Sequence, residues 1–198
     1  MRGVAIGLSC LALLLTGCGD ARLRGQALEP PRPMPDFALK DQHGRAFRLS
    51  DQRGRIVLLF FAFTHCPDIC PATLAKWRRV AEELGPDAQR VRFVFVTVDP
   101  QRDTRERLRE YLAQFHTDFI GLTGSESDLT PIYRAFGVVH ERVEQPGSAL
   151  GYLIAHTSTV PLLDLDGNWR VLFNFETPVD DYVNDIRLLL GSQTGGPE

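Results

Sequence analysis

Nine consecutive residues, Arg55 to Phe63 (RIVLLFFAF), hold a single polar side chain. A run this short and this continuously apolar, rich in Val, Ile and Phe, suits a strand covered on both faces. Val91 to Asp99 (VRFVFVTVD) repeats the pattern. Two such strands need apolar layers above and below them. The segment between them supplies one, because Leu74, Trp77, Val80, Ala81 and Leu84 recur at helical spacing before Gly85-Pro86 closes the helix.

The rest of the chain continues in kind. Asp36 to Leu39 and Ala46 to Leu49 read as short strands around a Gln42-His43-Gly44 turn. Asp103-Thr104-Arg105-Glu106 reads as a helix start with Asp103 as its cap, followed by Leu108, Tyr111, Leu112 and Phe115 on one face. Phe119 to Leu122 is a short strand and Leu129 to Phe136 a short helix. Tyr152 to Asp164 and Trp169 to Phe175 flank Leu165-Asp166-Gly167-Asn168, whose Asp-Gly pair is a hairpin signal. Val179 to Leu190 closes the chain as an amphipathic helix. This order predicts an α/β fold, a thioredoxin-like sandwich with a central mixed β-sheet flanked by helices. A flavodoxin-like order is the rival, and the hairpin counts against its all-parallel sheet. Pro161 would remove a ladder N–H, which predicts that its strand is an edge or carries a bulge.

The N-terminus is of different composition. Arg2 precedes an apolar stretch from Val4 to Leu15, too short to be a comfortable membrane span, and Leu15-Thr16-Gly17-Cys18 follows. The pattern predicts a signal peptide over residues 1–17, and its small residues before Cys18 resemble the lipobox of bacterial lipoproteins, with Cys18 as the lipid-modified residue. The protein is therefore expected in the bacterial cell envelope, lipid-anchored on the periplasmic side, where disulfides are permitted. Ordinary secretion and an uncleaved anchor are the alternatives. Residues 18–35 end in PPRPMP and predict an extended tether holding a single domain, residues 36–191, off the membrane. Residues 192–198 are a Gly-rich tail expected to fray. A net charge of −3 offers no basic stripe, so a nucleic-acid partner lacks electrostatic support.

Of four cysteines, Cys10 falls within the signal and Cys18 would be consumed by lipid, which leaves Cys66 and Cys70. Both lie where a buried strand gives way to a helix, a place where unpaired N–H groups and the helix dipole favour an anion. With Pro71 read as the first helical residue, Cys70 is the expected N-cap and the more easily formed thiolate. The pair can be a static disulfide, a thiol–disulfide switch, or two soft ligands suited to Cu(I). A static bridge closing so short a loop adds little stability. A metal needs a third donor. His43 lies in a turn, His116 at a helix end, His140 near a polar loop, and His65 beside Cys66 but pointing elsewhere. His156 stands just before Ser158 to Asp164, and in a thioredoxin-like fold the loop entering that strand faces the cysteines. The stretch His140 to Leu150 lacks apolar periodicity and reads as a mobile loop beside it.

Three segments in order, FTHCPDICP, VTVDPQRDT and AHTSTVPLLDLDG, resemble the signature segments of the Sco/SenC proteins, and the likeness covers residues 34 to 190. The resemblance implies a membrane-tethered thioredoxin-like domain that binds copper, as Cu(I) or Cu(II), through Cys66, Cys70 and His156. It implies a metallochaperone rather than an enzyme with turnover, with cytochrome c oxidase subunit II or another copper acceptor as partner, supplied by an upstream copper donor and a thiol reductant. A membrane-tethered thiol-disulfide oxidoreductase, with Cys66 and Cys70 as the redox pair, is the alternative, and a peroxidase-like thiol enzyme a third. Thr159 stands where thioredoxins commonly have a cis-proline, which weakens general disulfide exchange. Asp99 and Asp103 also match the family pattern, and turn formation and capping account for them.

Overall fold

A computed structural model describes residues 22–191. The expected signal peptide, Cys18 and the tail from residue 192 lie outside the described residues. Among the described residues no helix is long and apolar enough to cross a membrane.

The main sheet has eight strands. In chain order they are β1 (Gln26–Pro33), β2 (Ala38–Asp41), β3 (Ala46–Arg48), β4 (Ile56–Ala62), β5 (Val91–Thr97), β6 (Ile120–Thr123), then β9 (Val160–Leu163) and β10 (Asn168–Phe173), with a separate hairpin of β7 (His140–Glu144) and β8 (Tyr152–His156) between. The spatial order is β1-β10-β9-β4-β5-β6-β2-β3. Every residue of β4 is buried, and β4 pairs with β5 in parallel from Ile56 opposite Val91 to Ala62 opposite Thr97. β6 continues the parallel set, while β9 and β2 join antiparallel on either side. The sheet is therefore mixed.

Among the described residues four α-helices cover it: α1 (Ile69–Leu84), α2 (Arg105–Ala113), α3 (Glu126–Phe136) and α4 (Val179–Leu190). Side chains alternate across a strand, so neighbours in β4 face opposite layers. Phe60 packs on Trp77 of α1, and α4 lies beside α1. Phe61 packs instead on Tyr133 and Phe136 of α3, on the other face. α2 shares the α1 face and sits so close to β6 that a Cβ on Gly121 would fall 2.6 Å from the Leu112 side chain. Gly85 ends α1 at φ 57, a left-handed value that suits glycine.

Several expectations change. Gln26–Pro33, expected as tether, is extended but paired antiparallel with β10. Proline is tolerated there because β1 is the sheet's edge strand, with one side free of ladder partners. The single strand expected from Tyr152 to Asp164 is two. β8 pairs with β7, so His140–Glu144 is a strand rather than a mobile loop, and the chain crosses to the main sheet only at β9. Nor is β9 an edge. It lies between β10 and β4, and its ladder to β4 begins at Leu162, past Pro161. α1 begins at Ile69 with Asp68 as N-cap, and α2 is capped by the hydroxyl of Thr104, which accepts from the Arg107 N–H.

Candidate metal centre

The site forms where β4 ends. Residues 63–68 leave the sheet and turn into α1, and one buried carboxylate holds that loop down. Asp103 is fully buried. Its Oδ1 accepts the Thr64 hydroxyl at 2.7 Å, its Oδ2 accepts the Thr97 hydroxyl at 2.7 Å, and the Thr64 N–H reaches both oxygens at 3.2 and 3.1 Å. Burial pushes its carboxyl above the usual carboxylate range, against the pull of these threonine donors. Asp103 is thus the fastening of the loop to β5, and not the cap of α2. Asp and Thr are both good caps, so adjacent positions gave the sequence no way to choose.

Cys66 lies in this loop and Cys70 in the first turn of α1; both are free thiols. Cys70 is fully buried and Cys66 is partly exposed. Asp68 makes no side-chain cap; instead the Cys66 sulfur accepts the Cys70 N–H at 3.4 Å. A sulfur in that position stands at the positive end of the helix. The hydrogen bond from the Cys70 thiol, with the Asp68 and Cys70 N–H groups, holds Cys66 down at about 4 despite the cost of burial. Its bond to Cys66, together with burial, pushes Cys70 up. The anionic partner is therefore Cys66, the reverse of the expectation, because the helix starts two residues before Pro71 and draws Cys70 into the core.

His156 ends β8 and arrives from the other side. Its Nδ1 lies 2.9 Å from the Thr157 carbonyl oxygen. A carbonyl accepts only, so Nδ1 carries a proton, and in the neutral ring the lone pair belongs to Nε2. Nε2 lies 3.8 Å from the Cys70 sulfur. Phe63 meets the ring edge-on at 5.6 Å, and Phe60 lies 6.5 Å away, so the imidazole is walled by apolar rings.

A second fastening holds the hairpin that carries His156. The Tyr152 hydroxyl donates to Asp99 Oδ1 at 2.8 Å, and the Arg102 guanidinium bonds Asp99 Oδ2. Arg102 and Arg142 each lie against the Tyr152 ring, 3.5 and 3.7 Å from its centroid, and Arg102 also donates to the Leu150 and Tyr152 carbonyls. One short segment, Asp99 to Asp103, thus ties both halves of the site to the sheet: Asp103 the cysteine loop, Asp99 and Arg102 the histidine hairpin. Asp99 does open a turn, its carbonyl accepting the Arg102 and Asp103 N–H groups at 3.1 and 2.9 Å, but its carboxylate serves the hairpin, and Asp103 is not the cap expected. The sequence carried a signal, since Thr64 and Thr97 end two buried strands and need partners, but nothing in it says that they share one.

The other histidines go elsewhere. His43 stays in its turn, and His116 stacks on Phe119 at 5.2 Å. His65 bonds the Thr64 hydroxyl at 3.1 Å, and burial followed by the Arg102 charge lowers its pKa. His140 stands opposite His156 across the hairpin and rests on the Tyr133 ring at 4.7 Å. Among the described residues no three His, Cys, Asp or Glu side chains are already drawn into a metal-holding cluster.

A mixed sheet with a dithiol at a strand-to-helix junction and an imidazole brought over it defines a thioredoxin-like protein of the thiol- and metal-handling class. Within that class, residues 25–191 match the SCO1/SenC family, and the chain belongs to it. It is 40% identical over 142 residues to the SCO2-like protein of Rickettsia felis, covering 72% of this chain and 69% of that one. Apo Sco1 from Thermus thermophilus superposes with a TM-score of 0.76 at 38% identity, over 85% of this chain and 98% of that one. Bradyrhizobium japonicum ScoI with copper bound gives 0.73 at 31% identity, over 80% and 99%.

Proposed function

We propose that this protein binds copper through Cys66, Cys70 and His156 and hands it to the binuclear copper site of cytochrome c oxidase, from a lipid anchor at Cys18 on the periplasmic side of a bacterial membrane. Copper is cargo in this reading. The observation that carries it is the setting of the His156 ring: Nδ1 is taken up by the Thr157 carbonyl, and Nε2, the donor atom of the neutral tautomer, faces the sulfur of Cys70 at 3.8 Å. The donor set fits, being two sulfurs and one imidazole, a soft combination suited to Cu(I) and also able to hold Cu(II). With zinc bond lengths as a yardstick, about 2.3 Å to sulfur and 2.0 Å to nitrogen, one ion spans the gap between them. Small side-chain movements would complete the cluster. Copper bound in a Sco protein 31% identical to this chain supports the same assignment.

Binding follows the redox state of the thiols. When a partner disulfide takes two electrons from Cys66 and Cys70 by thiol exchange, leaving as a dithiol, the new disulfide has no thiolate left to hold the metal, and the oxidised protein releases it. One observation favours the second reading, a thiol-disulfide oxidoreductase: a low-pKa, partly exposed Cys66 backed by a buried Cys70 has the asymmetry of an exchange pair. Dithiol exchange does not need His156, and copper binding does.

The test is an anaerobic Cu(II) titration of the reduced protein, residues 19–198, followed by sulfur-to-copper charge-transfer absorption. Stoichiometric binding that collapses in His156→Ala is the expected result. A band absent from the wild type, or indifferent to the substitution, refutes the copper assignment and leaves the oxidoreductase.

A further inference from the structure

The N-terminal segment joins the domain at the end of the sheet that carries the cysteines and His156. Strand directions fix this. β4 runs toward Cys66; β9, antiparallel to it, starts at that end, four residues after His156. β10 is antiparallel to β9 and finishes there, and β1, antiparallel to β10, begins there with Gln26 opposite Leu172. Arg24, Gly25 and Gln26 share a cavity of about 350 Å³ with Thr159, Glu176 and Thr177, on the loops around the site.

The segment is fastened as well as adjacent. Asp185 of α4 is fully buried, and its two oxygens accept the Arg24 and Gly25 N–H groups, each at 2.8 Å. The Asn184 amide donates to the Arg22 carbonyl at 3.0 Å. Gly25 lies so close to β10 that a Cβ there would meet the Val171 side chain at 2.5 Å and Phe173 at 2.6 Å. From Arg22 back to Cys18 are four residues, which fully extended reach about 14 Å at most.

We propose that the end of the domain bearing Cys66, Cys70 and His156 lies against the lipid bilayer, with the rim around Arg24, Gln26, Thr159 and Glu176 as its lipid-facing surface. The inference rests on the lipid anchor at Cys18. It replaces a long tether by a four-residue one, so the domain is held close to the membrane, site end first, and copper changes hands near the headgroups. The opposite end, where the Gly54 N–H bonds the Leu165 carbonyl beside the β9–β10 turn, is the length of a seven-residue strand, about 23 Å, further out.

The test uses the full-length lipidated protein in nanodiscs of phosphatidylethanolamine and phosphatidylglycerol doped with a gadolinium-chelating lipid, read by broadening of backbone amide NMR signals. The amides of Thr159, Glu176 and Thr177 should broaden while those of Gly54, Asp166 and Gly167 stay sharp. A 20-residue Gly/Ser insertion between Cys18 and Arg22 should keep the protein on the disc and abolish the contrast between the two ends. Protein that carries the acyl mass and floats with lipid, yet broadens evenly or at the Gly54 end, overturns the proposal alone. Protein without acyl mass that fails to float overturns the anchor and the proposal with it. Neither result touches the copper titration, which needs no membrane.

Discussion

Asp103→Ala removes the acceptor for three buried donors: the Thr64 N–H, the Thr64 hydroxyl and the Thr97 hydroxyl. A buried donor left without an acceptor costs about 1–3 kcal/mol. The two hydroxyls can rotate and recover part of this; the backbone N–H cannot. Removing a carboxylate whose burial is unfavourable returns some stability as well. The balance is a loss of about 3 kcal/mol, which for a domain of this size lowers Tm by roughly 6–12 °C. Asp103→Asn keeps the shape and one acceptor oxygen, and its amide can face a hydroxyl turned to accept, so it should lose about 1–2 kcal/mol. Urea or thermal unfolding of residues 19–198 measures both. A cycle with Thr64→Val isolates the contact, and coupling above about 0.5 kcal/mol is expected for groups in one network. An Asp103→Ala protein that melts within about 2 °C of wild type, or strict additivity with Thr64→Val, would refute the reasoning.

Two further outcomes are expected. Because Cys66 is held at about 4, its thiolate is the main form throughout the neutral range; alkylation of the reduced protein by iodoacetamide should modify Cys66 first, at a rate flat from pH 6 to 8 and falling only as pH drops toward 4. Cys70, pushed the other way and buried, should resist, and peptide mass mapping that finds Cys70 modified first, or a Cys66 rate still climbing above pH 8, contradicts the assignment. Tyr152→Phe keeps the ring between Arg102 and Arg142 but loses the hydroxyl bond to Asp99, a part-buried contact worth about 1 kcal/mol. Stopped-flow transfer of copper to a chelator should then speed up while Cys66 alkylation stays unchanged; a change in alkylation with no change in copper release would show that Tyr152 does not act on the histidine hairpin.

The sheet's centre was legible because its segments are long and periodic. β4, β5, α1 and α4 lie within a few residues of their expected limits, since a run of apolar residues too continuous for one face, or a 3.6-residue repeat, admits few other folds. The β7–β8 hairpin was not legible. β7 is exposed along most of its length, so its side chains carry no alternation, and its strand character comes from pairing with β8. β1 was hidden by its prolines, which only an edge position tolerates, and position in a sheet order is a property of the whole fold.

The chemistry divides along the same line. Residue types and spacing drew attention to Cys66 and Cys70, the order of segments set His156 apart from four other histidines, and the fold does bring its Nε2 to 3.8 Å from the Cys70 sulfur at one end of the sheet. Which sulfur is the anion was decided by tertiary structure: two residues of helix register put Cys70 in the core and leave Cys66 to accept the free N–H of the first turn. The joint fastening by Asp99, Arg102 and Asp103 was likewise invisible, since a buried carboxylate and a capping one look alike in sequence and differ only in what surrounds them. Sequence names the groups that can react; packing sets which of them are desolvated, which are hydrogen-bonded, and therefore which carry the charge.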